Sequence, residues 1–137
     1  MDDTPKQNER PGTSDNPMHL LLLDDHPIHL RLIAKMLLRL GHFVLVAKSF
    51  EEARHILSTQ KIDMILLDIH MRRQNGIDLT EVAKEKEKQT GKHIPLIALS
   101  DNVIKAQREE CFETGMDEYL PKPVFQSELA RVIEKLL

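Results

Sequence analysis

From Met18 onward the hydrophobic positions fall into short unbroken runs separated by longer amphipathic stretches. The runs HLLLLDD, HFVLVA, DMILLDI, IPLIALS and DEYLPKP are strand-length, and in the central ones the apolar residues are consecutive rather than alternating. Consecutive burial suits strands covered on both faces. Between the runs, Ile28, Leu32, Ile33, Met36, Leu37 and Leu40 fall on one helical face, with Gly41 where a helix would stop. Ser49 followed by Glu52 is a capping-box signature ahead of Ala53, Ile56 and Leu57. Further helices are predicted over roughly 76–90, 102–114 and 126–137, with Gly91 and Gly115 as stops.

Five strands thus alternate with five helices, and the crossovers are too long for hairpins. This predicts an α/β fold, a doubly wound five-stranded parallel sheet with helices on both faces. Residues 1–17 contain Pro5, Pro11, Gly12 and Pro17 and no apolar side chain after Met1. They cannot bury enough surface to offset ordering entropy, so they read as a disordered tail or linker ahead of one domain, 18–137.

Composition narrows the classes. The net charge is only −3 and acids and bases are mixed along the chain, which excludes a nucleic-acid binder or a basic membrane patch. The single cysteine, Cys111, rules out an internal disulfide framework and suits a reducing, cytosolic setting. No run approaches the roughly 18 apolar residues of a membrane span, and the N-terminus lacks the apolar core of a signal peptide, so no direct membrane contact is expected.

In a parallel sheet all strand C-termini open onto one edge, where open α/β sheets bind ligands. Reading the strand ends places Asp24 and Asp25, Asp68, Ser100 and Lys122 on that rim. Three acids in one partly buried place repel, and such an arrangement calls for a divalent cation. An all-oxygen site without thiols suits Mg²⁺, which leaves positions for phosphate oxygens. Together with a lysine and a hydroxyl this points to phosphoryl chemistry, with Asp68 as the nucleophile and Asp24 and Asp25 holding the cation.

Plainer readings exist for each residue. The acid pair can cap the helix that Pro27 opens, Ser100 can cap the next helix, and Lys122 can be a solvated surface lysine. His26 and His29 have the spacing of a ligand pair, yet Pro27 intervenes and no third ligand follows, so they read as surface histidines. Cys111 reads as core-facing, and the run KEKEKQTGK from Lys84 to Lys92 as a solvated helix face.

In this order LLDDH, LLDIHM, LIALS and GMDEYLPKP resemble the receiver domain of two-component response regulators, over Met18 to Leu137. The last motif is most similar to receivers of hybrid sensor histidine kinases. The resemblance implies a flavodoxin-like fold with strand order 2-1-3-4-5, and a phosphorelay signalling domain rather than a turnover enzyme. Asp68 would accept a phosphoryl group from a phosphohistidine, and Asp25, Asp68 and the His70 backbone carbonyl would bind Mg²⁺, with Asp24 contributing through water. Lys122 would pair with the phosphoryl oxygens, Ser100 would move onto one of them, and Tyr119 would follow Ser100 and switch the face formed by the fourth helix, fifth strand and fifth helix. The Lys122–Pro123 bond would be cis. The implied partner is a histidine kinase or a histidine phosphotransfer domain, for which Ile28, Leu32 and Met36 offer an apolar dock, and a weak dimer is compatible. The polar leader and the lack of a following output segment agree equally with a free-standing cytoplasmic regulator and with the cytoplasmic part of a membrane-bound hybrid kinase.

The chain departs from the family pattern at Arg72, where a proline is usual, and at Asp101, where a small residue is usual. The first implies a loop of different shape or charge, and the second an extra carboxylate beside the phosphoryl site. His70 stands where side chains tune phosphoryl lifetime. A phosphatase of the haloacid dehalogenase type would need two acids separated by one residue, and Asp24–Asp25–His26 speaks against it. A degenerate receiver used only for protein binding has Asp101 as its sole support.

Overall fold

The computed structural model describes residues 16–101 and 105–137, without the side chains of 105–107. Most of the predicted tail, and the start of the predicted helix 102–114, lie outside the described residues. The elements run β1 (His19–Leu23), α1 (Pro27–Arg39), β2 (Phe43–Ala47), α2 (Phe50–Thr59), β3 (Met64–Asp68), α3 (Leu79–Thr90), β4 (Leu96–Ser100), α4 (Lys105–Glu113), β5 (Glu118–Pro121) and α5 (Gln126–Lys135). The main sheet has the order β2-β1-β3-β4-β5 with every pairing parallel, the flavodoxin-like topology expected.

Successive strand residues point to opposite faces, and the structure uses both. Leu20 and Leu22, Met64 and Leu66, Ile97 and Leu99 pack with Leu30, Ile33 and Leu37 of α1 and Leu129, Val132 and Ile133 of α5. Leu21 and Leu23, Ile65 and Leu67, Leu96 and Ala98 face Ala53 and Leu57 of α2, Leu79 and Ala83 of α3, and Cys111 of α4. Each fully buried leucine contributes about 1.5–3 kcal/mol, so the unbroken runs are what hold β1, β3 and β4 at the centre. Ser49 caps α2 by accepting the Glu52 N–H at 3.1 Å, and Glu52 reaches back to the Lys48 N–H at 2.6 Å.

Three expectations are corrected. Ile28 and Leu32 do not share the buried face of α1. They are 61% and 50% exposed, because the sheet covers the stripe Leu30, Ile33 and Leu37 instead. The third helix begins at Leu79 rather than near Gly76, because Asn75 and Gly76 both take positive φ (53° and 79°) and turn Arg73–Gln74 back onto Ile77–Asp78 as a short antiparallel ribbon. Asn-Gly is the strongest local signal for such a turn. The charged run in α3 is not uniformly solvated, because Lys86 Nζ donates to the Leu57 and Gln60 carbonyls and Glu87 Oε2 accepts the Ile94 N–H at 2.7 Å. Gly91 and Gly115 end their helices as expected, at φ 76° and 103°.

Candidate functional site

β1 and β3 are neighbours in register, Leu23 against Leu67, so the residues that follow them stand side by side. Asp24 is fully buried and Asp68 is 6% exposed. Each carboxylate is held in the same way. Asp24 Oδ1 accepts the His26 N–H at 2.9 Å and Asp68 Oδ1 accepts the His70 N–H at 3.0 Å. Their other oxygens converge on Lys122 Nζ, at 2.9 Å from Asp24 Oδ2 and 3.3 Å from Asp68 Oδ2. Burial alone would lower the Lys122 pKa, but the Asp24 hydrogen bond and the charges of Asp68 and Asp24 raise it above the usual lysine value. The ammonium is therefore a fixed positive charge, in surroundings where charge is poorly screened.

Asp25 is solvent-exposed and completes the cluster: one carboxylate oxygen from each of Asp24, Asp25 and Asp68 lies within 4.8 Å of the others. Three carboxylates and no softer donor fit a hard cation that binds oxygen. His70 exposes its side chain while its N–H anchors Asp68. The plainer reading of the acid pair as a helix cap is not what the structure has: His26 is the N-cap of α1, and Asp24 accepts the His26 N–H.

Ser100 ends β4 fully buried, and its carbonyl accepts the Lys122 N–H at 2.7 Å. Register pairs Asp68 with Leu99, which brings Ser100 alongside the end of β3. Tyr119 is 4% exposed and packs in the cluster that contains Cys111 and Met116. Ala98 pairs with Tyr119 and Ser100 with Pro121, so Tyr119 and Ser100 share one face of the sheet two positions apart. The Lys122–Pro123 bond is cis. Every residue read from the strand ends therefore reaches the same edge.

Sequence reasoning missed two residues. His29 is not a surface histidine: its Nδ1 lies 3.3 Å from Lys122 Nζ, and its ring stacks on His26 at 3.9 Å between centroids. The His26–His29 spacing was visible in the sequence, but it says nothing of Lys122, which is 93 positions away. Arg72, which stands where a proline is usual, has a structural partner that the sequence did not reveal. It is 5% exposed and its Nε donates to Asp78 Oδ2 at 2.7 Å, while Asp78 caps α3 through the Thr80 N–H at 2.9 Å. Its φ of −63° is one a proline would adopt, but its N–H donates to the Ile69 carbonyl at 3.3 Å, a bond that proline could not make, and the loop is tied down by a buried ion pair. Asp101 is exposed and lines a cavity of about 230 Å³ with His29, Leu32, Met36 and Lys122, beside the acid cluster as expected.

A family model described as the response regulator receiver domain matches residues 20–134. The chain is similar to the sensor histidine kinase RcsC of Escherichia coli, 37% identical over 114 residues that make up 82% of this chain and 12% of that protein. It is also similar to the sensor histidine kinase GacS of Pseudomonas protegens, 30% identical over 117 residues, 85% of this chain and 13% of that protein. Among solved structures, the receiver domain of the sensor histidine kinase PA1611 from Pseudomonas aeruginosa PAO1 carries a magnesium ion coordinated in its active site cleft. It superimposes with a TM-score of 0.69 at 31% identity, covering 88% of this chain and 97% of that one. The chain spans only about an eighth of the length of these curated relatives.

Proposed function

The chain belongs to the response regulator receiver domain family, and from that premise we propose that it is the phosphoacceptor of a two-component phosphorelay, with Asp68 taking the phosphoryl group from a phosphohistidine. One observation carries the reading: Asp24 and Asp68 share the buried Lys122 ammonium while Asp25 stands open to solvent in the same cluster. A structural ion pair needs no third acid. The cluster instead has a nucleophile, a fixed cation and an open oxygen-donor site.

In the proposed step an oxygen of Asp68 forms a bond to phosphorus, and the P–N bond of the phosphohistidine breaks with its electron pair left on the imidazole nitrogen. Asp68 Oδ1 is held by the His70 N–H, which fixes the carboxylate plane for in-line attack. Lys122 neutralises the charge gathering on the phosphoryl oxygens from a position already set by folding. Asp25, Asp68 and the His70 carbonyl would hold Mg²⁺, with Asp24 contributing through water, and the ion would supply further charge neutralisation. The hydroxyl of Ser100 would then bond a phosphoryl oxygen, and Tyr119, on the same sheet face, would carry the change toward α4, β5 and α5.

The proposed partner is a histidine kinase or a histidine phosphotransfer domain, in keeping with the sensor kinases to which the chain is similar. The exposed Ile28 and Leu32, with Met36, offer it an apolar dock on α1 beside the site. We assign no nucleic-acid contact to this domain and leave room for a weak dimer. No described helix is long and apolar enough to cross a membrane. The proposed setting is the cytoplasm, either free or within a hybrid kinase, with residues 1–17 serving as tail or linker.

The test is to incubate the protein with Mg²⁺ and acetyl phosphate and compare intact masses of wild type and Asp68→Asn. A phosphoryl adduct that requires Mg²⁺ and is absent from the variant is expected. No adduct on wild type, with beryllofluoride also failing to bind, would overturn the reading in favour of a binding-only receiver.

A further inference from the structure

A lysine ammonium has three N–H donors, and the structure offers the Lys122 ammonium three different acceptors: Asp24 Oδ2 at 2.9 Å, Asp68 Oδ2 at 3.3 Å and His29 Nδ1 at 3.3 Å. An ammonium cannot accept, so His29 Nδ1 presents its lone pair and the ring hydrogen sits on Nε2. The ring is held for this task. His26 stacks on it at an interplanar angle of 14°, and His26 Nδ1 accepts the His29 backbone N–H at 3.3 Å, both on the Pro27-initiated first turn of α1.

We infer that His29 is a positioning residue for phosphoryl transfer, holding the third N–H of Lys122 in reserve until a phosphoryl oxygen replaces it. The inference rests on the receiver reading above. The Lys122 side chain is only 5% exposed, so water cannot readily take that donor, and a buried donor without an acceptor is costly. With no third acceptor the ammonium would settle more tightly between the two carboxylates and quench the nucleophilicity of Asp68. His29 counters this with an uncharged acceptor. All three bonds share the charge of the ammonium, but the carboxylates add an opposite charge on the acceptor side and the imidazole does not. The His29 bond is therefore the one of the three most readily exchanged for a phosphoryl oxygen.

With acetyl phosphate the step balances without any proton passing through His29. An Asp68 oxygen bonds to phosphorus, the P–O bond to the acetyl group breaks, and acetate departs with the electron pair. His29 gives up one N–H donor to the incoming phosphoryl group and does nothing else.

The experiment compares wild type, His29→Leu and His29→Asn, because leucine removes the acceptor while the Asn amide oxygen stands near the place of Nδ1. Phosphorylation by acetyl phosphate is followed by intact mass at saturating Mg²⁺, and the urea midpoint of each protein is measured alongside. His29→Leu is expected to be phosphorylated roughly tenfold more slowly and to have a modestly lower midpoint, since Lys122 loses an acceptor, with His29→Asn recovering to within about threefold of the wild-type rate and to the wild-type midpoint. A wild-type rate in His29→Leu, or equal slowing in both variants, would overturn the inference. Absence of any adduct on wild type would remove the receiver reading and this inference with it, whereas a normal wild-type adduct with an unaffected His29→Leu removes the inference alone.

Discussion

Lys122 Nζ lies 2.9 Å from Asp24 Oδ2, although the two residues are 98 positions apart in the chain. The contact joins the end of β1 to the end of β5 and makes the lysine a resident counter-ion of the acid cluster. A cation bound there has to share the acids with it.

Lys122→Met should therefore destabilise the Mg²⁺-free protein by about 3 kcal/mol, because two buried carboxylates lose the counter-charge that they share. The same variant should bind Mg²⁺ roughly tenfold more tightly, since the competing charge has gone. Urea titrations with and without Mg²⁺ measure both effects. Equal stabilisation of wild type and variant by Mg²⁺ would contradict the shared site.

Leu32 is half exposed beside the site and contributes little to the core. Leu32→Asp should slow phosphotransfer from a phosphotransfer-domain donor by about tenfold or more, while acetyl phosphate remains as effective as before. Timed transfer from each donor tests this. Equal loss with both would place Leu32 in the chemistry rather than in the dock.

Asp78 ties the loop after β3 to α3 through Arg72 and Thr80. Burial alone would raise its pKa, but the Thr80 hydrogen bonds and Arg72 hold it below the usual carboxylate value. Its stabilising contribution is present at neutral pH and is lost as pH falls through that lowered value. Asp78→Ala should cost about 3 kcal/mol at pH 7, because the buried Arg72 is left without its acid. The double variant Arg72→Met/Asp78→Ala should be the more stable of the two in urea.

His42 is buried and its Nδ1 accepts the Met18 N–H at 3.1 Å, so folding favours the neutral ring and burial lowers its pKa. The unfolded chain binds the proton more readily below about pH 6.5, so stability falls as pH drops through that value. His93 works in the opposite sense. Burial alone would lower its pKa, but Asp117 and Glu87 raise it, so its contribution is present below about pH 6.5 and is lost as pH rises through the raised value. In the difference between wild type and His42→Leu the His93 effect cancels. That stability advantage of wild type should shrink from pH 7.5 to pH 5.5 in urea unfolding, and a constant difference would show that His42 does not titrate with folding.

The site was legible wherever it consists of strand ends. LLLLDD, MILLD and LIALS each announce a strand through apolar residues and then break it with a polar one, and a parallel sheet needs all such breaks at one edge. His29 and Arg72 escaped because nothing within a few residues of either specifies its partner: one meets a lysine from the far end of the chain, the other an acid across a turn. The Asn75–Gly76 turn was legible in principle and was absorbed into the predicted helix, because the stripe Leu79, Val82 and Ala83 marks a helix without marking where it starts.

By itself, the sequence determined the alternation of strands and helices, the helix stops at Gly91 and Gly115, and the identity of the rim residues, since all of these follow from backbone conformation and apolar spacing over a few positions. The tertiary structure alone decided which stripe of α1 is buried, how Arg72 closes its loop, and that His29 takes a donor of Lys122. These depend on which strand lies beside which and on competition among donors and acceptors brought together from opposite ends of the chain, and no local pattern encodes that competition.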